Sequence, residues 1–160
     1  MSRWFTWGLP LATLLSYAVL AGWFGPQVMA AAGGLMPFDL RLTGYTLAEA
    51  QVYLQALTPA GRDLYLGPIR VNDTIFPILF ALTLWLPLRG RNRLLSLPAL
   101  AYGLLDLAEN HAVAGLLQIG PEVRAGAVAM ASMLTVTKYA VASVAIALAL
   151  WGLWRHRRQR

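Results

Sequence analysis

Long apolar runs separated by short polar stretches predict a membrane protein built of helices. A transmembrane helix needs about 20 mainly apolar residues. Four segments meet this requirement, at residues 7–31, 69–88, 97–117 and 127–154. They predict an all-α fold, a four-transmembrane-helix bundle that makes residues 1–160 a single membrane domain.

The first apolar segment also permits a different interpretation. Arg3, the apolar run and the small residues near positions 28–30 together resemble a secretory signal peptide with its cleavage site. The run is longer than the apolar core of a typical signal peptide, and its Trp7 and Trp23 suit membrane interfaces. We therefore expect a retained helix.

Residues 33–68 form the connection between the first two spans, which is too long for a tight turn. Thr46 and Glu49 have the spacing of a capping box, which predicts a helix from Leu47 to about Leu57. The Thr58-Pro59 pair predicts a second short helix, with threonine as N-cap and proline at the first helical position. This connection is therefore expected to be a short helical cap over the bundle.

Composition supports a membrane protein and narrows its chemistry. The chain is 58% hydrophobic and 12% charged, whereas a soluble domain has about 25% charged residues. It contains no cysteine, which excludes disulfides, thiolate metal sites and thiol redox chemistry. The net charge of +6 comes from arginines at the ends of the apolar runs, not from a patch beside aromatic residues, so nucleic acid is not an expected partner.

Charge in the predicted loops gives the orientation, because cytoplasmic loops carry an excess of lysine and arginine. One side would hold arginines and no acidic residue: Arg3, Arg89, Arg91, Arg93, Arg155, Arg157, Arg158 and Arg160. The opposite side, with the cap, mixes acidic residues and arginines. Both termini are therefore expected in the cytoplasm and the cap on the extracytoplasmic side.

A cluster of polar residues lies inside the third and fourth apolar segments. Charges in hydrocarbon are rare and are usually paired or functional. Tyr102, Asp106 and Glu109 share one helical face, with Asn110 at its edge. The candidate cluster for ligand binding adds two neighbours from the fourth segment and comprises Tyr102, Asp106, Glu109, Asn110, Lys138 and Tyr139.

The two segments that carry this cluster are expected to be antiparallel neighbours, because a short connection joins them. Lys138 then lies at the depth of the two carboxyl groups and is predicted to pair with Glu109 or Asp106. The other carboxyl group is expected to be protonated, or bonded to Tyr102 or Asn110. Such a cluster can be a structural network, a ligand site or a proton relay, and structural pairing is the interpretation that we favour.

A second polar group lies at the outer end of the second span. Arg62, Tyr65, Arg70 and Asp73 form this outer rim, which is either a local salt-bridged cap or the access rim of a ligand site. Asp73 is expected to pair with Arg70. Pro77 has no amide hydrogen and should leave the carbonyl group of Asp73 without its helical partner.

Metal binding is not expected. Glu109 and His111 are two residues apart and point to different sides of a helix, and the Glu-x-x-His pattern of di-metal bundles is absent. His111 is expected to be a packed histidine, and no cofactor is predicted.

Two short sequence segments are similar to segments of a known group of proteins. They are Gly61-Arg62-Asp63-Leu64-Tyr65, with Asp73 and Pro77 after it, and Asp106-Leu107-Ala108-Glu109-Asn110. Over about the middle half of the chain they resemble small uncharacterised bacterial four-helix integral membrane proteins. The resemblance implies a four-span protein of the bacterial inner membrane, and it implies no activity.

Three functional hypotheses follow. The first is a non-catalytic accessory subunit, or a binder of a lipid or small apolar ligand. Its expected partner is the lipid bilayer, and a membrane protein partner or a second copy of the chain remains an open alternative. The alternative is a membrane-embedded enzyme with Glu109 or Asp106 as general acid/base on a lipid-like substrate and Lys138 as electrostatic partner. The third is a small proton-coupled carrier.

Overall fold

The computed structural model describes residues 3–158, which are mostly helical and include no β-strand. The α-helices in this range are α1 (Arg3–Ala18), α2 (Gly25–Ala31), α3 (Leu47–Ala56), α4 (Pro59–Leu64), α5 (Arg70–Trp85), α6 (Leu97–Ile119) and α7 (Ala125–Arg158). Short 3-10 turns occupy Phe38–Leu40, Leu86–Leu88 and Arg93–Ser96. Arg160, expected in the basic tail, lies outside the described residues.

Two π-helical turns join neighbouring helices into longer runs. Val19–Phe24 joins α1 to α2, and Tyr65–Ile69 joins α4 to α5. The second junction is kinked at Gly67, whose backbone leaves helical geometry at φ −95° and ψ −105°. The second apolar run therefore begins at Pro59, ten residues before the predicted start at residue 69.

Three helical runs of the described chain are long and apolar enough to cross a membrane: Trp7–Ala31, Pro59–Leu88 and Ala125–Arg158. These correspond to the first, second and fourth predicted spans. The helix α6 is 23 residues long but is not among them. Asp106 and Glu109 lie in its middle and lower its mean hydropathy, so a fourth span stays a prediction.

The local signals in the cap have the expected effects. Thr46 accepts a hydrogen bond from the backbone amide of Glu49 at 3.3 Å, and the Glu49 carboxylate accepts one from the Thr46 amide at 2.7 Å. This capping box begins α3 at Leu47, as predicted, and α3 ends at Ala56. Thr58 accepts a hydrogen bond from the Gly61 amide at 3.1 Å and caps α4.

The largest apolar core lies where the cap meets one end of the bundle. Phe38 and Tyr53 are fully buried there, and their rings are 4.8 Å apart. They share this core with the last turns of α6 and the first turns of α7, represented by Leu116, Leu117 and Val128. Each fully buried side chain of this size contributes about 1.5–3 kcal/mol, so the cap is firmly attached.

The long helices pack in the order α1, α5, α6, α7. The backbone of α7 comes close to the Leu86–Leu88 turn at Gly152, where a Cβ atom would lie 2.9 Å from the carbonyl oxygen of Pro87. Ala145 and Ala149 of α7 are buried and form a small core with Leu84 and Ala99. Since α1 packs chiefly on α5, and α7 chiefly on α6, the first and last helices border a gap.

Candidate functional site

Lys138 is the centre of a buried ionic network between α6 and α7. Its Nζ atom lies 2.8 Å from Oδ1 of Asp106 and 2.7 Å from Oε2 of Glu109. The three residues are 6%, 5% and 0% exposed, respectively. The sequence predicted a pair with one of the two acids, and the structure shows that the lysine bridges both.

The remaining oxygen of each carboxylate also accepts a hydrogen bond. The Tyr102 hydroxyl donates to Oδ2 of Asp106 at 2.5 Å. The Thr135 hydroxyl donates to Oε1 of Glu109 at 2.6 Å. Every carboxylate oxygen in the network thus has a donor, and a buried network stabilises a fold when all of its members are satisfied. With both acids ionised, the network carries one net negative charge.

Helical spacing explains why these side chains meet. Tyr102, Asp106 and Glu109 lie four and three residues apart on α6, and Thr135 and Lys138 lie three apart on α7. Residues separated by three or four share a helical face. Because the two helices are packed neighbours joined by a short turn, the two faces meet along one seam.

One alternative from the sequence was that Asn110 bonds to a carboxyl group of the network. The structure shows a different partner for Asn110. Its Nδ2 atom donates to the backbone carbonyl oxygen of Asp73 on α5 at 2.6 Å. Pro77, four residues after Asp73, has no amide hydrogen for this carbonyl. Asn110 therefore supplies the hydrogen bond that the proline removes, and it fastens α6 to α5.

The Asp73 side chain is not paired as expected. Within residues 3–158, no ion pair joins Arg70 to Asp73, so the predicted local pair is not formed. Arg70 instead borders a small pocket of about 10 Å³ together with Asp73 and Asp39. This volume is at the lower limit for one water molecule.

A cavity of about 550 Å³ lies between the α1–α2 run and α7, with α5 and α6 behind it. Such a volume is within the range of about 300–1,000 Å³ typical of small-molecule sites. Its walls are mainly apolar and include Leu14, Tyr17, Phe76, Phe80 and Ile146. Its polar groups are few and include Asp39, Asp73, Asp106, Lys138 and Tyr139.

The cavity is open at the gap between α1 and α7. Leu14 and Tyr17 on the α1 side are 63% and 53% exposed, and Ser143 on the α7 side is exposed as well. All three border the cavity. A molecule in the cavity would therefore remain in contact with the surroundings of these two helices.

Asp39 is a residue of the cavity wall that the sequence did not single out. The Tyr65 hydroxyl donates to its carboxylate at 2.5 Å, and the Tyr139 hydroxyl donates to its backbone carbonyl at 2.7 Å. These bonds hold the Phe38–Leu40 turn of the cap against α7. Asp39 lies in a loop without periodicity, so no local pattern marks it.

The structure separates the predicted site residues into different surroundings. Tyr65, Asp73, Tyr102, Asp106, Lys138 and Tyr139 border the large cavity, whereas Glu109, Asn110, Arg62 and Arg70 do not. Arg62 packs against Gly120, where its Nη1 atom lies 3.4 Å from the position that a Cβ atom would occupy. His111 is exposed, so its predicted packing is wrong.

Metal-ligand geometry is not found in the part of the chain that the structure describes, where no three His, Cys, Asp or Glu residues are placed to hold an ion. Comparisons with protein-family models, with curated proteins and with solved structures give no match to this chain. The geometry of the cavity and its polar wall therefore carries the functional proposal.

Proposed function

We propose that this chain is a polytopic protein of the bacterial inner membrane that binds a lipid or a small apolar molecule without changing it chemically. The observation that carries the proposal is the cavity of about 550 Å³ between α1 and α7. Its apolar walls suit a hydrocarbon chain, and its few polar groups converge near the middle of the helices. This combination is typical of small-molecule sites.

The proposal includes α6 as a fourth membrane span. Its two acidic residues are turned into the seam with α7 and are almost inaccessible, at 5% and 0% exposed for Asp106 and Glu109. Its outer face carries leucines, with Leu97, Leu100 and Leu104 at 53%, 51% and 70% exposed. A helix with this distribution can face lipid on one side, because its charges are paired on the other.

The proposed orientation places both termini in the cytoplasm. Two of the basic residues that support this assignment, Arg91 and Arg155, lie at the same end of the bundle, where Arg91 donates to the Gly152 carbonyl oxygen at 3.4 Å. The guanidinium groups of Arg91 and Arg155 lie 5.3 Å and 5.2 Å from the Trp151 ring centre. Tryptophan and arginine side chains of this kind are common at membrane interfaces.

The hydrogen bonds to all four carboxylate oxygens of the network favour a structural role over a reactive one. Glu109 is fully buried and does not border the cavity, so it cannot touch a bound molecule without rearrangement. Asp106 and Lys138 do border the cavity. If the alternative of a membrane-embedded enzyme holds, Asp106 is the acid in place to act on a lipid-like substrate, with Tyr102 as its hydrogen-bond donor.

A binding experiment with a neutral amphiphile tests the proposed function. Native mass spectrometry of the protein purified in lauryl maltoside would be used to titrate dodecanol onto wild type, Ser143→Trp and Val144→Trp. Ser143 borders the cavity at its mouth, whereas the neighbouring Val144 is exposed and does not. We expect dodecanol to bind wild type and the Val144 variant, and to bind Ser143→Trp at least about tenfold more weakly, a change of about 1.4 kcal/mol.

Two results would contradict the binding role. One is that wild type binds no dodecanol, and the other is that both tryptophan variants bind it equally well. The enzyme alternative has its own test, in which a membrane lipid extract is incubated with wild type or Asp106→Asn and analysed by mass spectrometry. A new lipid product formed by wild type alone would favour the enzyme.

A further inference from the structure

We infer that the head group of the bound molecule is a protonated amine that contacts Asp73, so that the ligand is a single-chain amphiphilic amine. This inference rests on the proposed binding function and specifies its ligand class. It starts from the charges on the cavity wall. The ionisable acids there are Asp39, Asp73 and Asp106, and the only basic side chain on that wall, among the described residues, is Lys138.

The positive charge of the lysine is already compensated within the protein. Its ammonium group already donates to Asp106 and to Glu109, which lies behind the wall. Asp39 accepts a hydrogen bond from Tyr65. Within residues 3–158, the Asp73 carboxylate accepts none, although Asp73 borders the cavity.

The backbone at Asp73 is fastened to the neighbouring helix α6. Asn110 holds the Asp73 carbonyl group, and Pro77 lies one turn further along α5. The aromatic rings of Phe76 and Phe80 continue the same cavity wall and stack at 5.5 Å between ring centres. A ligand with its head at Asp73 would therefore place an apolar chain along these rings.

Electrostatics then selects the head group. An anionic head would meet an excess of negative charge on a wall of low dielectric constant, and a phosphate group would meet the same repulsion. A neutral hydroxyl could donate one hydrogen bond to Asp73. A protonated amine donates hydrogen bonds and also compensates charge, and charge-assisted hydrogen bonds are about twice as strong as neutral ones.

Three probes of equal chain length test the head group: dodecylamine, dodecanol and dodecanoate, each titrated onto the purified protein by native mass spectrometry. For wild type we expect dodecylamine to bind about tenfold or more tightly than dodecanol, and dodecanoate to bind most weakly. For Asp73→Asn we expect the preference for the amine to fall to within about threefold while dodecanol binding is retained. Asp63→Asn is the matched control, because Asp63 is exposed and does not border the cavity.

The outcomes separate the two proposals. Dodecanol binding without an amine preference overturns the inference about the head group and leaves the binding function standing. Equal binding of the amine and the carboxylate, or an amine preference that survives in Asp73→Asn, overturns it as well. If none of the three probes binds, both proposals fail. The comparison of probes on wild type needs no variant, so it decides the charge of the head group even if Asp73→Asn does not fold.

Discussion

Replacing Lys138 with methionine is expected to destabilise the protein much more than neutralising either of the two acids bonded to it. The lysine donates to Asp106 and Glu109 at 2.8 Å and 2.7 Å, and all three are buried. Removing it leaves two buried carboxylates with no counter-charge. Breaking a buried ion pair from one side costs about 3–5 kcal/mol.

Neutralising Glu109 has a smaller expected effect, because Glu109→Gln leaves Lys138 paired with Asp106. The new amide oxygen can accept from the lysine. The amide nitrogen can donate to the Thr135 hydroxyl, which itself can donate to the Ala131 carbonyl oxygen 3.1 Å away. All groups then keep a partner, and the cost should be about 1 kcal/mol, the value of one ordinary hydrogen bond.

Thermal unfolding followed by tryptophan fluorescence measures this difference. For a protein of this size about 1 kcal/mol changes Tm by about 2–4 °C, so Lys138→Met should lower Tm by about 6–20 °C and Glu109→Gln by less than about 5 °C. The triple variant Lys138→Met, Asp106→Asn, Glu109→Gln should regain more than half of the loss. Thr137→Met, on the exposed side of α7, controls for a methionine in this helix. The reasoning is refuted if Lys138→Met is as stable as wild type, or if the triple variant is no more stable than Lys138→Met.

Two further predictions concern the backbone contacts around the site and the cap. Asn110→Leu should lower the free energy of unfolding by about 1–3 kcal/mol because it leaves the Asp73 carbonyl group unpaired. The loss should be smaller in a Pro77→Ala background, where residue 77 supplies a helical amide to this carbonyl group. Equal Tm losses in both backgrounds would contradict this. In the cap, hydrogen bonds from the backbone and side chain of Thr46 hold the pKa of Glu49 below its ordinary value of 4.5. A lowered pKa gives stability that is complete above about pH 4.5 and is lost as the pH falls through the folded-state value. The protection factors of the α3 amides, which compare their exchange with that of an unfolded chain at the same pH, should therefore fall on acidification in wild type, and an equal fall in Glu49→Gln would be the contrary result.

Much of the polar cluster could be predicted because helical geometry is local. The spacing of Tyr102, Asp106 and Glu109 fixes their common face, and the short turn before α7 fixes the depth of Lys138. What spacing could not decide was the choice between two carboxylates. The lysine side chain is long enough to reach both, since they are three residues apart on one face.

The capping signals were equally local and gave the start of α3 and α4. The start of the second apolar run was misplaced because Gly67-Pro68 suggests a chain break. In the structure Gly67 takes the kink and the helix continues around it. A glycine can absorb such a distortion without a side-chain clash.

The cavity could not be predicted because it depends on the separation of helices that are far apart in sequence. Its wall combines residues of α1, α5, α6, α7 and the cap turn that holds Asp39. The distinction between Asp106, which borders the cavity, and Glu109, which is behind it, also depends on this packing. No periodic pattern of residues carries that information.

Photochemical labelling in the native membrane tests the cavity as a ligand site most directly. A long-chain alcohol with a diazirine in its chain would be added to membranes that contain the protein, irradiated, and its attachment sites located by mass spectrometry. We expect labelling of Phe76 and Phe80, which border the cavity, in excess of their exposed neighbours on α5, Ile75 and Ile78. Unlabelled dodecanol should reduce the labelling of the two phenylalanines alone. Labelling confined to Ile75 and Ile78, without competition, would show that the alcohol touches only the outer surface and would contradict a binding role for the cavity.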